Sequence, residues 1–316
     1  MYLFAHFREK RTPDGEQVHF ALSRDGYNWE SINEGRPVLW AMKGEKGVRD
    51  FALARGSDGV VRLLATDLSL SYSFVPVYGG KWPNIVRNGS NRLMMWESSD
   101  LVHWSKEQEV VLSPEGCGCH WAPDIVETDQ GLFLISWSSP DPEDMEMCIW
   151  YALTRDFHTL TEPKLLYKKK GSSVIDSCIV KENGIYYLWV KSDKNPGGVM
   201  MLKSENPEGP YEPMPAFDAE METLKGGAIC YEAPVAVKST DGAWLLMLDF
   251  FGVQGSGQGY VPFVSKDISS GVFKRSDAAF SFPYGFKHGG IIEISGEEYE
   301  RIKAFDFEAE GYNRGW

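Results

Sequence analysis

Five times along the chain a polar residue leads an apolar run, a turn pair follows, and a second run closes the unit. The units begin at Asp50 (DFALARGSDGVVRLLATD), Asp124 (DIVETDQGLFLISWS), Asp176 (DSCIVKENGIYYLWV), Glu232 (EAPVAVKSTDGAWLLML) and His288 (HGGIIEISGEEYERIKAF). The turn pairs are Asp58-Gly59, Gln130-Gly131, Asn183-Gly184, Asp241-Gly242 and Ser295-Gly296. Asn-Gly and Asp-Gly between β-rich runs predict hairpins, because such turns need positive φ. Runs such as VVRLLAT, LFLISWS and IYYLWV are β-branched and aromatic, and several are apolar on both faces, as strands buried between two layers are.

A second module follows each of the first four hairpins: an apolar strand, Ser or Thr, a polar turn, then an aromatic. Its copies are MMWESSDLVHWSKE, WYALTRDFHTLTEP, VMMLKSENPEGPYEP and FVSKDISSGVFKRS, and another, VHFALSRDGYNWES, stands near the N-terminus. Two hairpins make a four-stranded unit, and the anchors step by 74, 52, 56 and 56 residues. Periods above 40 with four short strands per unit predict propeller blades. The N-terminus holds a second module without an anchor and the C-terminus an anchor without a second module. The fold expected is therefore all-β, a single domain over residues 1–316 forming a five-bladed β-propeller whose last blade is closed by both termini. Either the run after His288 or Tyr299–Phe305 is available to pair with Tyr2–Phe7. Long 3.6-residue apolar periods are missing, so helix should be scarce.

In a propeller the first strand of each blade lines the central channel. Anchors at the starts of those strands would gather Asp50, Asp124, Asp176, Glu232 and His288 near one face. A lone acid at a strand start is more often a cap or an ion-pair partner, and Arg49 beside Asp50 suits that role as well as substrate binding. Capping gives no reason for four acids to recur in register. Carboxyls this close cannot all ionise freely, and separated pKa values in one pocket are what paired acid and base chemistry needs. Glycoside hydrolysis fits: one carboxylic acid protonates the leaving oxygen and a second carboxylate activates water or attacks the sugar. With 13% aromatic residues, 11 of them Trp, the chain is also suited to stacking on sugar C–H faces, and Trp121 beside an anchor is the best placed.

Charge and cysteine usage narrow the partners. The net charge is −13, from 32 basic and 45 acidic residues, which disfavours nucleic acid because such binding needs a basic patch. Five cysteines do not suggest a disulfide framework. Cys117-Gly118-Cys119 lacks a second Cys or His pair nearby, so a structural role outweighs a metal site. No apolar stretch approaches 18 residues, which predicts no membrane span. The start, MYLFAHFREK, lacks the order and cleavage site of a secretory signal, which points to a cytoplasmic location if Met1 is the true start.

The stretches GVRDFALARGSDG around Asp50, VIDSCIVKENGIYYL around Asp176 and CYEAPVAVKSTDG around Glu232, with HWAPDI (His120–Ile125) and GFKHGGII around His288, resemble glycoside hydrolase family 43. The resemblance covers nearly the whole chain and rests on the order and spacing of these motifs. It implies a five-bladed propeller in which Asp50 is the general base, Glu232 the general acid and Asp176 the residue that orients the acid and keeps it protonated. It implies inversion, with base and acid carboxyls roughly 6.5–9.5 Å apart. Trp121 and Asp124 would shape the sugar subsite. His288 resembles the channel histidine that in some members contacts a calcium or sodium ion or its waters; no cofactor is required for the reaction. Asp50-Phe51 and Asp176-Ser177 depart from the Asp-Pro usual in the family, which loosens the strand starts without removing a carboxylate.

The segment Ser69–Arg92 between the first blade's hairpins is peculiar to this chain. Long loops are often lids or walls, and this one should block one end of the pocket, giving exo action. The leading expectation is release of a terminal arabinofuranose or xylose from plant-type oligosaccharides. A sialidase is suggested by SRDGYNW but needs three clustered arginines, and no anchor is Arg. A non-catalytic glycan-binding propeller would have lost one of the three acids. A phosphorylase would need a basic phosphate site.

Overall fold

Asn183 and Gly184 have φ of 51° and 81°, the left-handed pair that closes a two-residue hairpin in step with strand twist. Asp58-Gly59, Gln130-Gly131 and Asp241-Gly242 likewise end with the glycine at positive φ between paired strands. The structure, a computed structural model, describes residues 1–8, 12–113, 118–252, 259–276, 280–283 and 285–308.

Twenty strands form five four-stranded antiparallel sheets among the described residues. The strands of the first part are β1 (Tyr2–Arg8), β2 (His19–Ser23), β3 (Trp29–Ser31), β4 (Val48–Arg55), β5 (Val61–Asp67), β6 (Arg92–Ser98) and β7 (Gln108–Val111). Then come β8 (Trp121–Glu127), β9 (Phe133–Pro140), β10 (Met147–Thr154), β11 (Lys164–Tyr167), β12 (Val174–Glu182), β13 (Ile185–Ser192), β14 (Val199–Ser204) and β15 (Glu212–Pro213). The chain continues with β16 (Tyr231–Lys238), β17 (Trp244–Phe250), β18 (Gly259–Ser265), β19 (Lys274–Arg275) and β20 (Phe286–Glu293). Three short helices join them: α1 (Trp82–Asn88), α2 (Pro215–Thr223) and α3 (Gly296–Ala304). The sheets are the blades of a five-bladed β-propeller, four built from consecutive strands and one ordered β20-β1-β2-β3. That last sheet is the blade shared by the termini, and β20 wins the place beside β1, with Leu3 opposite Ile292 and Ala5 opposite Gly290.

The chain divides into two compact units, Met1–Pro123 with Ser281–Trp316, and Asp124–Phe280. In the first, β20-β1-β2-β3 and β4-β5-β6-β7 share a core of Leu3, Phe20, Phe51, Leu63, Met94 and Trp96. Two glycines set their spacing. A Cβ at Gly289 would stand 1.8 Å from the Ala5 carbonyl oxygen, and one at Gly290 would stand 2.9 Å from the Phe51 carbonyl oxygen and Leu53 nitrogen. The Gly-Gly after His288 thus lets β20 lie close to both β1 and β4.

The second unit holds the other three sheets. Its middle strand β13 is buried on both faces: Tyr186, Leu188 and Val190 pack on one side, Tyr187 and Trp189 on the other. This is why IYYLWV carries no polar alternation.

The fifth copy of the repeat departs from the expected hairpin. Ser295-Gly296 is the start of α3, where the Ser295 hydroxyl accepts from the Glu298 amide and the Glu298 side chain accepts from the Ser295 amide. Ser-x-x-Glu is a capping box, and it overrides the turn reading. Tyr299 and Ile302 on the helix then pack into the first unit's core. The Ser-Asp turns of the second modules spend their polar atoms on their own backbone: Ser23 Oγ accepts from Gly26 N, and Asp25 from Tyr27 N and Asn28 N. They are structural corners. No helix among the described residues is long and apolar enough to cross a membrane.

Candidate active site

Four inner strands begin with a residue forced into the left-handed region: Asp50 (φ 51°), Ala122 (φ 48°), Asp176 (φ 57°) and Ala233 (φ 52°). Ladder register slips at three of them, between Arg49 and Phe51, Ile175 and Cys178, and Glu232 and Val235. A bulge with a strained non-glycine residue re-aims side chains, and such strain collects at functional sites. Asp50 and Asp176 occupy the strained position itself. Glu232 stands one residue before it, and Asp124 two residues after it.

In the first unit Asp50 is 19% exposed and its Oδ1 lies 3.3 Å from Nδ1 of the buried His288. The Arg49 guanidinium sits 4.4 Å from the centre of the Phe7 ring, and its buried Nε has no hydrogen-bond partner. Burial alone would raise the Asp50 carboxyl. The His288 hydrogen bond and charge, then Arg49 and Thr66, outweigh it and hold the carboxyl below the usual aspartate range. Thr66 also accepts the Ala122 amide at 2.7 Å, which ties the start of β8 to β5. Trp121 is half-buried, 6.0 Å from Trp82 at 87° between rings, and packs against Leu68, Tyr78 and Ile85. The Ser69–Arg92 segment is therefore folded against Trp121, with α1 inside it.

In the second unit Asp176 is 8% exposed. Its Oδ2 accepts the Ala233 amide at 3.2 Å and its own amide donates to Ser138 Oγ at 3.0 Å. The Asp176 carboxylate thus grips the backbone next to Glu232. Lys191 Nζ lies 3.4 Å from Glu232 Oε2 and 5.6 Å from the centre of the Phe251 ring. Burial would lower the Lys191 ammonium; Glu232, Asp176 and Asp193 outweigh burial and hold it above the usual lysine value. Asp249, 1% exposed, is the cross-strand partner of Glu232. Asp124 Oδ2 accepts the Ile179 amide at 2.5 Å, tying the second blade's inner strand to the third's.

The seven residues singled out from sequence fall into distinct groups. Arg49, Asp50 and His288 come together in one unit, with Trp121 linked through Thr66. Asp176 and Glu232 come together in the other, and Asp124 is held by β12. Lys191 and Asp249 were missed. Their signal lies in hairpin register: counting back from Asn183-Gly184, Lys191 falls opposite Asp176, and the bulge shifts it to Ile175.

His288 Nδ1 faces Asp50, and no group of three or more His, Cys, Asp or Glu among the described residues is arranged to hold a metal. Cys117 lies outside the described residues. Burial pushes the Cys119 thiol well above its ordinary value, the wrong direction for a thiolate ligand.

Acids placed at strained strand starts of a propeller, each with its own partners, define the frame of a glycoside hydrolase. Residues 1–300 match the family described as a probable glycosyl hydrolase domain, related to glycoside hydrolase family 43, and the chain belongs to that family. A relative is the alpha-L-arabinofuranosidase of Bifidobacterium longum subsp. longum, 27% identical over 210 residues, 59% of this chain and 19% of that protein. The chain therefore spans about a fifth of the length of this curated relative. Among solved structures, a xylan beta-1,4-xylosidase from Bacillus halodurans is 18% identical with a TM-score of 0.60, covering 82% of this chain and 50% of that one. An endo-1,4-beta-xylanase from Bacteroides thetaiotaomicron is 17% identical with a TM-score of 0.60, covering 92% of each chain. These likenesses share the propeller fold.

Proposed function

We propose that the protein is an inverting, exo-acting glycosidase that releases a terminal pentose, α-L-arabinofuranose or β-D-xylose, from plant-type oligosaccharides. The observation that carries this reading is the different setting of three acids at bulged strand starts. Asp50, kept ionised by His288 and Arg49, takes a proton from water, whose oxygen attacks the anomeric carbon on the face opposite the leaving group. Glu232 gives its proton to the departing glycosidic oxygen. Asp176 fixes the strand start that carries Glu232 by accepting the Ala233 amide, and Lys191 Nζ stands 3.4 Å from the Glu232 carboxyl. Trp121, with Asp124 bracing the neighbouring strands, shapes the sugar subsite.

The names of the relatives support a pentose, and the folded Ser69–Arg92 segment supports exo action. A channel calcium or sodium, if bound beside His288, would be held through its waters and would play no part in the steps above.

A screen of nitrophenyl glycosides carrying arabinofuranose, xylopyranose and galactopyranose tests the sugar, followed by NMR of the first-formed anomer. Release of the inverted anomer of a pentose is expected. A retained anomer, or cleavage of galactosides alone, would overturn the reading.

A further inference from the structure

Three segments of the first unit are laced together by buried side chains. Glu16, 3% exposed, accepts hydrogen bonds from Ser69 Oγ, Leu70 N and Ser71 N at 2.9–3.0 Å. Glu45 accepts from Ser69 N at 3.1 Å and from the Tyr78 hydroxyl. Gln17 donates to the Lys46 carbonyl and accepts from the Ala41 amide. Residues 12–18, 40–47 and the Ser69–Arg92 segment are thereby held as one rigid rim.

Between them lies a cavity of about 510 Å³ lined by Trp40, Met42, Glu45, Lys46, Tyr72 and Ser73, among others. The volume is in the range of small-ligand sites, which pair apolar and aromatic walls with a few polar groups. The same segments carry unusual apolar exposure. Of nine exposed large hydrophobic side chains among the described residues, five are Met42, Tyr72, Val75, Val77 and Trp82. Apolar exposure gathered this way marks a contact surface. One lining residue, Lys46, precedes Asp50 by four residues, so their Cα atoms are at most about 14 Å apart.

We propose that this cavity is a second sugar subsite, taking a pyranose ring of the oligosaccharide beyond the pentose that is cleaved. An aromatic pair, Trp40 and Tyr72, offers π surface to the ring's C–H face, and Glu45, Lys46 and Ser73 offer polar atoms to its hydroxyls. The rim is braced before ligand arrives, so little ordering cost falls on binding. The proposal rests on the glycosidase reading and names where its substrate extends.

The test compares chain length. The kcat/KM of the unmodified protein and of Tyr72→Ala, Trp40→Ala and Met42→Ala is measured on a nitrophenyl pentoside and on a β-1,4-linked xylotriose. Calorimetry in an Asp50→Asn background compares binding of xylose and xylotriose. Tyr72 is 38% exposed, so its truncation spares the core, and thermal melts check all three variants. Tyr72→Ala should lose about 10-fold in kcat/KM on xylotriose, through KM, and about 10-fold in xylotriose affinity. The nitrophenyl pentoside and xylose should change less than about 2-fold. If xylotriose binds no tighter than xylose, or its advantage survives both aromatic truncations, the subsite is wrong. If xylotriose binds through Tyr72 but nothing is hydrolysed, the glycosidase reading fails and the subsite stands.

Discussion

The two units start their inner strands with the same device and give the resulting acids opposite company. Around Asp50 the neighbours are cationic or hydrogen-bond donors: His288 Nδ1 at 3.3 Å, with Arg49 and Thr66 contributing. Around Glu232 stand the carboxyls Asp176 and Asp249, with the cation Lys191 at 3.4 Å. The bulge places an acid; the side chains arriving from neighbouring strands decide its company.

The comparison is broken most severely by removing either acid. Asp50→Ala and Glu232→Gln should each lower kcat/KM by about 10²–10⁴-fold with the melting temperature little changed, because each deletes one proton transfer. Activity within a few-fold of the parent in either variant would refute the assignment.

The units should also differ in acid sensitivity. Buried histidines His6 and His19 stack in the first unit with ring centres 5.6 Å apart. Burial lowers the His19 imidazole to about 4 and pushes His6 well below its ordinary value. The unfolded chain takes up these protons first, so stability present above pH 6.5 is lost as pH falls toward 4. For His19 alone the loss is about 3 kcal/mol. The second unit's only histidine, His158, is exposed. Hydrogen exchange at pH 4.5 against pH 7 should therefore accelerate in β1 and β2 before β12 and β13. Uniform acceleration would show that these histidines do not govern acid stability.

Smaller changes tune each side. His288→Ala removes the largest influence that lowers the buried Asp50 carboxyl, so the carboxyl rises and the acidic limb of kcat/KM should move to higher pH. Lys191→Met removes the cation 3.4 Å from Glu232 in the other unit and should leave that acidic limb where it is. An acidic limb that moves in Lys191→Met would argue that the two environments are not separate.

Much of this was legible along the chain. The turn pairs and anchor spacing predicted five four-stranded units, and the orphan modules at the ends predicted the shared blade. Asp50, Asp124, Asp176 and Glu232 stood out because they recur at one point of a repeat, and the family resemblance implied catalytic roles for all but Asp124. The fifth hairpin failed because Ser295 and Glu298 satisfy helix amides at each other's ends, a local hydrogen-bond pattern that outcompetes a Ser-Gly turn. Lys191 was hidden because a lysine ending an apolar strand reads as a solvated cap until the register lays it beside another blade's acid.

Composition and periodicity by themselves determined the all-β propeller and the placing of acids at strand starts, since hairpin chemistry and burial act over neighbouring residues. Tertiary structure decided which partner each acid has: His288 and Arg49 for Asp50, the Ala233 amide for Asp176, Lys191 for Glu232 and the Ile179 amide for Asp124. Those pairings join residues far apart in the chain, and electrostatics depends on distance in space, which no local pattern records.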